Sequence, residues 1–202
     1  MTHTPDLGWL FPRLLAGPRV FRHPTNGDPY IAVQSLGFTD LTSTEAALRR
    51  IATTTGLRIL LLPLTRCWQD VLPLRALHEV SKGEFTLTDD FTSDLDKLEI
   101  LGSATLFIGQ SMHGFIGALS QGRPAGICLP ERDDKFGELL RDLQLLQFRS
   151  VGWDGVEALV QTLLWSPIGH ITQRRAAAQK QLDAIFDDIC DRLLKREACY
   201  SH

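Results

Sequence analysis

The residues best suited to chemistry lie at one seam, the stretch ATLFIGQSMHGFIG at 104–117. An apolar run stops at Gly109, Ser111 and His113 follow two residues apart, and a helix-like pattern begins. Three readings compete for that spacing. In the first, Ser111 is a nucleophile. Gly109-Gln110-Ser111-Met112-His113 matches the GxSxG elbow except at its last position, and Asp154 and His170 follow in the Ser–Asp–His order of α/β-hydrolases. That elbow needs a small residue two places after the serine, where helix and strand pass closely. His113 puts an imidazole there, which counts against this reading.

The second reading is an anion site. A strand ending near Gly109 and a helix beginning near Met112 make Ser111 the N-cap. The backbone N–H groups of His113 and Gly114 then point into the cleft at the C-terminal edge of a sheet. Such a helix start binds phosphate or carboxylate through aligned donors and the positive end of the helix dipole. Gly114 and Gly117 keep the helix thin enough to lie close to the sheet or to admit a ligand. His113 becomes a donor to the anion, or a general acid or base. In the third reading Ser111 only caps and His113 only fills space. The second and third stay open on sequence alone.

Other side chains are weaker candidates. Gln34 and Ser35 end the first expected strand and either line the same edge or form a turn. Arg66 follows the second strand as a possible anion partner, with a solvated arginine as the default. Asp70 and the trio Glu131, Asp133 and Asp134 lack metal-ligand spacing, so an acidic turn is expected and no metal. Cys67, Cys128, Cys190 and Cys199 form no CxxC pair, which argues against zinc and a disulfide framework. Cys128, inside an apolar run, reads as a small buried side chain. Trp68, Trp153 and Trp165 read as core or packing anchors rather than sugar platforms. No cofactor is expected.

The elements that must position these residues alternate. Strands are expected at 29–37, 57–64, 85–90, 104–109, 123–129 and 146–151. Helices are expected at 42–56, 67–80, 92–103, 113–122, 133–144 and 156–165. The run ILLLPL at 59–64 is continuously apolar, as a strand covered on both faces should be. Strands alternating with helices through short connections call for a doubly wound parallel sheet, with ligands at the C-terminal strand ends. The last segment carries Leu182, Ile185, Phe186, Ile189 and Leu193 at helical spacing, an amphipathic helix of about 25 residues. The first 27 residues, rich in proline and glycine around WLFPRLL, read as a lead-in, leaving 28–202 as one Rossmann-like α/β domain.

Composition narrows the functional classes. With 202 residues, 44% hydrophobic and 22% charged, the chain can bury a sizeable core. A net charge of −3 and the lack of a dense Lys/Arg run point away from nucleic acid. The longest apolar stretch is far too short to span a bilayer, and the N-terminus lacks a signal-peptide pattern, so a cytoplasmic protein is expected.

Residues 98–145 resemble the signature region of polysaccharide pyruvyl transferases. The pattern is matched at Leu101, Ile108, His113, Ala118-Leu119, Gly122, Pro124 and Lys135, and looser similarity runs through 29–64 and the last helix. Related glycosyltransferase-B-like (GT-B) domains share the A-L-x-x-G-x-P element. The resemblance implies a GT-B C-terminal-type domain of an enzyme that moves a pyruvyl group from phosphoenolpyruvate onto sugar hydroxyls as a ketal, in exopolysaccharide or cell-surface glycan synthesis. Its partners would be phosphoenolpyruvate and a glycan or lipid-linked sugar acceptor. His113 would be the catalytic or donor-binding histidine, protonating the enol carbon before the hydroxyl attacks. Ser111, Met112, Gly114 and Gln34 would line the donor.

Many family members carry an arginine where this chain has Ser111, so Arg123, Arg132 or Lys135 would have to supply the cation. The family is also much longer, with an N-terminal Rossmann-like domain forming half the cleft. Either the chain is a C-terminal fragment or half of such an enzyme, or a separate N-terminal-domain partner or a second copy in a homo-oligomer completes the cleft. Two alternatives stand beside it: a GT-B glycosyltransferase domain using a nucleotide-sugar, and a catalytically silent interaction domain.

Overall fold

Short apolar runs between polar turns build the sheet. The computed structural model describes residues 7–15, 23–65, 68–88, 92–129, 134–166 and 168–199. Its strands are β1 (Tyr30–Val33), β2 (Arg58–Leu61), β3 (Thr86–Leu87), β4 (Leu106–Gly109), β5 (Ala125–Leu129) and β6 (Arg149–Val151). They form one six-stranded sheet in the order β3-β2-β1-β4-β5-β6, parallel throughout. Every residue of β1, β4 and β5 is buried, because helices cover both faces.

The helices are α1 (Phe11–Leu14), α2 (Leu41–Thr55), α3 (Trp68–Val80), α4 (Asp94–Ser103), α5 (Met112–Ser120), α6 (Asp134–Asp142), α7 (Val156–Trp165) and α8 (Ile168–Cys199). On one face α2 packs against α3 and α7, and on the other α5 packs against α4 and α8. Local chemistry sets their ends. Asp40 caps α2 by accepting from Ser43 N at 3.0 Å, and Gly56 closes it in the left-handed conformation at φ 71°. Ser93 caps α4 through Asp96 N. The doubly wound parallel sheet expected from the alternation is therefore present.

Several bounds move. The run 57–64 pairs only over Arg58–Leu61, because its last residues leave the ladder for a side-chain clamp described below. Residues 146–148 form a 3-10 turn before β6 rather than strand. The last helix runs for 32 residues. Its Leu182 is buried, and the lead-in turn Leu7–Leu10 packs on both α5 and α8. Arg13 Nη2 also meets Asp183 Oδ1 of α8 at 2.5 Å. Trp153 is buried, whereas Trp165 is 84% exposed. It ends α7 at the margin of the sheet, where no core remains to receive an indole. No helix among the described residues is long and apolar enough to cross a membrane.

Two buried polar groups show how tightly the centre is built. The Tyr30 hydroxyl donates to the Ile100 carbonyl at 2.6 Å, and burial pushes its pKa well above the usual tyrosine range. Burial likewise pushes the Cys128 thiol far up, since nothing nearby stabilises a thiolate. Cys128 should consequently resist iodoacetamide in the native protein and react in denaturant, read by peptide mass spectrometry. Rapid native labelling would contradict its position in β5.

Candidate functional site

The strand order reverses between β1 and β4, and in doubly wound sheets the crevice outside that switch point is where ligands bind. Two glutamines lock it. Gln34, 1% exposed, continues β1 by donating its N–H to the Ile108 carbonyl at 3.1 Å. Its Oε1 accepts from Gln110 N at 3.0 Å. In return Gln110 Oε1 accepts from Leu36 N at 2.7 Å and lies 3.1 Å from the Ser35 hydroxyl. Ser35, fully buried, donates to the Gly37 carbonyl at 2.7 Å. Gly109 makes this closeness possible, because a Cβ there would sit 2.8 Å from the Gln34 carbonyl oxygen. Gln34 and Ser35 thus do reach the edge, and they also shape its turn.

Beyond Gly109 the chain enters α5. Ser111 is its N-cap, as the sequence suggests, and its hydroxyl accepts from Gly114 N at 3.2 Å. That bond corrects one expectation. The Gly114 N–H is spent on the cap, so the open donors are those of Met112 and His113, which meet no acceptor among the described residues. The His113 side chain is exposed at this start. Gly114 lies against the sheet, since a Cβ would come within 2.5 Å of Leu64 Cδ1 and 2.6 Å of Phe107 Cζ.

Leu64, which supports Gly114, is itself held from two sides. Asp70, fully buried near the start of α3, accepts from Leu64 N at 2.8 Å, Thr65 N at 3.0 Å and the Thr65 hydroxyl at 2.8 Å. Lys97 of α4, 4% exposed, donates from Nζ to the Leu64 carbonyl at 3.1 Å and lies 3.5 Å from Asp94 Oδ1. Asp70 is therefore a loop clamp. Lys97 was not singled out from sequence, although a signal existed: it lies three and four residues before the buried Ile100 and Leu101, on the core face of α4.

The proposed cations are not gathered at this edge. Arg123 precedes β5, so it lies at the N-terminal edge of the sheet and donates from Nε to the Gly102 carbonyl at 2.6 Å. The nine-residue α5, about 13 Å long, separates it from Ser111. The structure thus places Arg123 at the sheet edge opposite Ser111. Arg66 and Arg132 lie outside the described residues, as do Glu131, Asp133 and the side chain of Lys135. No group of three or more metal-ligating side chains occurs among the described residues. Nor does the hydroxyl of Ser111 meet a histidine base there; its recorded role is the cap.

Comparison with solved structures settles the architecture. The Listeria monocytogenes protein assigned as a UDP-N-acetylglucosamine 2-epimerase superposes with a TM-score of 0.57 at 15% identity, over 86% of this chain and 50% of that one. The shared fold is GT-B-like and Rossmann-like, a parallel α/β sheet flanked by helices. A Thermobaculum terrenum O-GlcNAc transferase mutant aligns with a TM-score of 0.48 at 16% identity, over 84% of this chain and 35% of that one. The chain thus spans half the length of the first structure and about a third of the second. No family model matches this chain, and no curated protein does. The GT-B part of the sequence-based resemblance stands at the level of fold, and nothing in these comparisons points to pyruvyl transferases.

Proposed function

We propose that this chain is the donor-binding half of a GT-B-type, sugar-modifying transferase. The donor phosphate sits on the Met112 and His113 N–H groups, with the His113 imidazole beside the reacting group as general acid or base. One observation carries this reading: an N-terminal helix turn with open donors, capped by Ser111 and seated on Gly114, at the switch point of a doubly wound sheet.

A nucleotide-diphosphate sugar suits the site best. Gln34, Ser35, Gln110 and Ser111 are neutral, and a phosphate needs only N–H donors from them and from the helix. Phosphoenolpyruvate adds a carboxylate, for which a further cation such as Arg132 or Lys135 would be needed. The pyruvyl reading keeps second place on the A-L-x-x-G-x-P pattern at 118–124. The acceptor-binding half would come from another domain or chain.

Amide chemical shifts of the 15N-labelled chain test this. UDP-N-acetylglucosamine is expected to shift the signals of residues 111–114 saturably, and His113→Ala to weaken binding by about tenfold, or 1.4 kcal/mol. A stronger response to phosphoenolpyruvate would favour the second reading. If neither compound moves these amides, the site does not grip a donor and the silent interaction domain is the better description.

A further inference from the structure

A second hollow lies at the opposite, N-terminal edge of the sheet. Its volume is about 360 Å³, and it is lined by Thr54, Thr55, Leu57, Thr105, Gln161, Leu164 and Trp165. The ends of α2 and α7 form its walls, and the entries to β2 and β4 form its floor. The volume is within the range of small-molecule sites, about 300–1,000 Å³.

The lining chemistry is specific. None of these side chains is ionisable, so a charged ligand would find no counter-charge among the lining residues. The Thr54 hydroxyl donates to the Arg50 carbonyl at 2.8 Å, which leaves its oxygen as an acceptor. The Thr55 hydroxyl is used twice, donating to the Ile51 carbonyl at 2.7 Å and accepting from Leu57 N at 3.2 Å. The Gln161 carboxamide and the Thr105 hydroxyl make no hydrogen bond among the described residues, so donors and acceptors are both on offer. Trp165 completes the lining and is 84% exposed. An indole is the side chain with most to gain from covering, and its flat face receives a ring with axial C–H groups.

We infer that this hollow is a subsite for a neutral pyranose ring, stacked on Trp165 and hydrogen-bonded by Gln161 and Thr105. A sugar matches each feature at once: one apolar face for the indole, hydroxyls that both donate and accept, and no charge. The competing occupant is an organic cation, which the indole face and the carbonyl ends of α2 and α7 would attract. A cation, however, could not use the donors of Gln161, Thr105 and the indole N–H. The sugar therefore satisfies more of the site. This subsite does not depend on the donor site, from which the length of the strands separates it.

The test uses the full 202-residue chain, 15N-labelled. N-acetylglucosamine, cellobiose and choline are titrated in turn while the indole N–H signals of the four tryptophans and the Gln161 side-chain amide are followed. Trp165→Phe assigns the indole signal. One of the sugars should shift Trp165 and Gln161 saturably with a millimolar Kd. Trp165→Ala should abolish the Gln161 shift, and Gln161→Ala should weaken binding several-fold; neither exposed position supports the core, so both variants should fold. The inference is overturned if neither sugar shifts these signals at about 50 mM. It is equally overturned if choline alone shifts them, or if the Gln161 response survives Trp165→Ala.

Discussion

Asp70→Ala is expected to lower the stability of the protein by about 3–4 kcal/mol in chemical denaturation. The carboxylate accepts three hydrogen bonds, two from the backbone N–H groups of Leu64 and Thr65, at a site with no solvent exposure. Hydrogen bonds to charged groups contribute about 1.5–3 kcal/mol each, and orphaned buried donors cost about 1–3 kcal/mol, with partial relaxation lowering the sum.

Asp70→Asn retains an acceptor oxygen and should lose only about half as much. Lys97→Met should change stability by less than about 1 kcal/mol. The lost bond to the Leu64 carbonyl is offset by no longer burying a charge. That ordering separates a clamp from a generic buried polar pair. A loss under about 1 kcal/mol for Asp70→Ala would mean that the loop after β2 holds its shape without the carboxylate.

Gly114→Ala should destabilise by about 1–2 kcal/mol, although alanine is the better helix former. Propensity favours the substitution by about 1 kcal/mol, while forcing a methyl into a filled space costs about 1–3 kcal/mol. Space decides the sign here. The new Cβ would meet Leu64 Cδ1 at 2.5 Å and Phe107 Cζ at 2.6 Å. Leu64 is part-buried and can turn aside, but Phe107 is fully buried in β4 and cannot. The start of α5 would therefore lift from the sheet, carrying Ser111 and His113 with it. Binding at the Met112 and His113 amides should fall along with stability.

Gly137 of α6 is the control. Its nearest neighbour to a new Cβ is Arg149 Nη1 at 3.7 Å, an ordinary contact, so Gly137→Ala should stabilise by about 0.5–1 kcal/mol. If both substitutions stabilise, the close approach of α5 to the sheet is not a constraint. Thermal and urea denaturation of the two variants read this directly.

The cap and the open donors of α5 are legible in the sequence to different degrees. Ser111 could be read as a cap because a serine before a helical apolar pattern has one local job, accepting from the first turn. Gly56 at the end of α2 and Ser93 or Asp94 at the start of α4 carry equally local signals, a left-handed stop and a first-turn acceptor. The identity of the open donors was not. It depends on whether the cap bonds to the second or the third helical N–H, a choice made by the backbone angles of the turn. Lys97 announced itself only as a charged residue on an apolar face. Its partner, the Leu64 carbonyl, is 33 residues away in sequence.

The donor set shows the same division. Arg123 is ten residues from His113 in sequence, yet a helix runs between them and carries it to the far edge. Trp165 completes an apolar helix face in sequence, but exposure depends on where the sheet stops.

By itself, the sequence determined the alternation of strands and helices, the doubly wound sheet that follows from it, and the seam at Gly109-Ser111. Hydrophobic period, capping residues and breakers act over a few positions, so they are visible in the chain. The tertiary structure alone decided the reversal between β1 and β4, the glutamine lock across it and the two-sided hold on Leu64. It also decided the hollow beneath Trp165. Each of these joins residues brought together only when strands pair and helices pack, and no local pattern encodes that meeting.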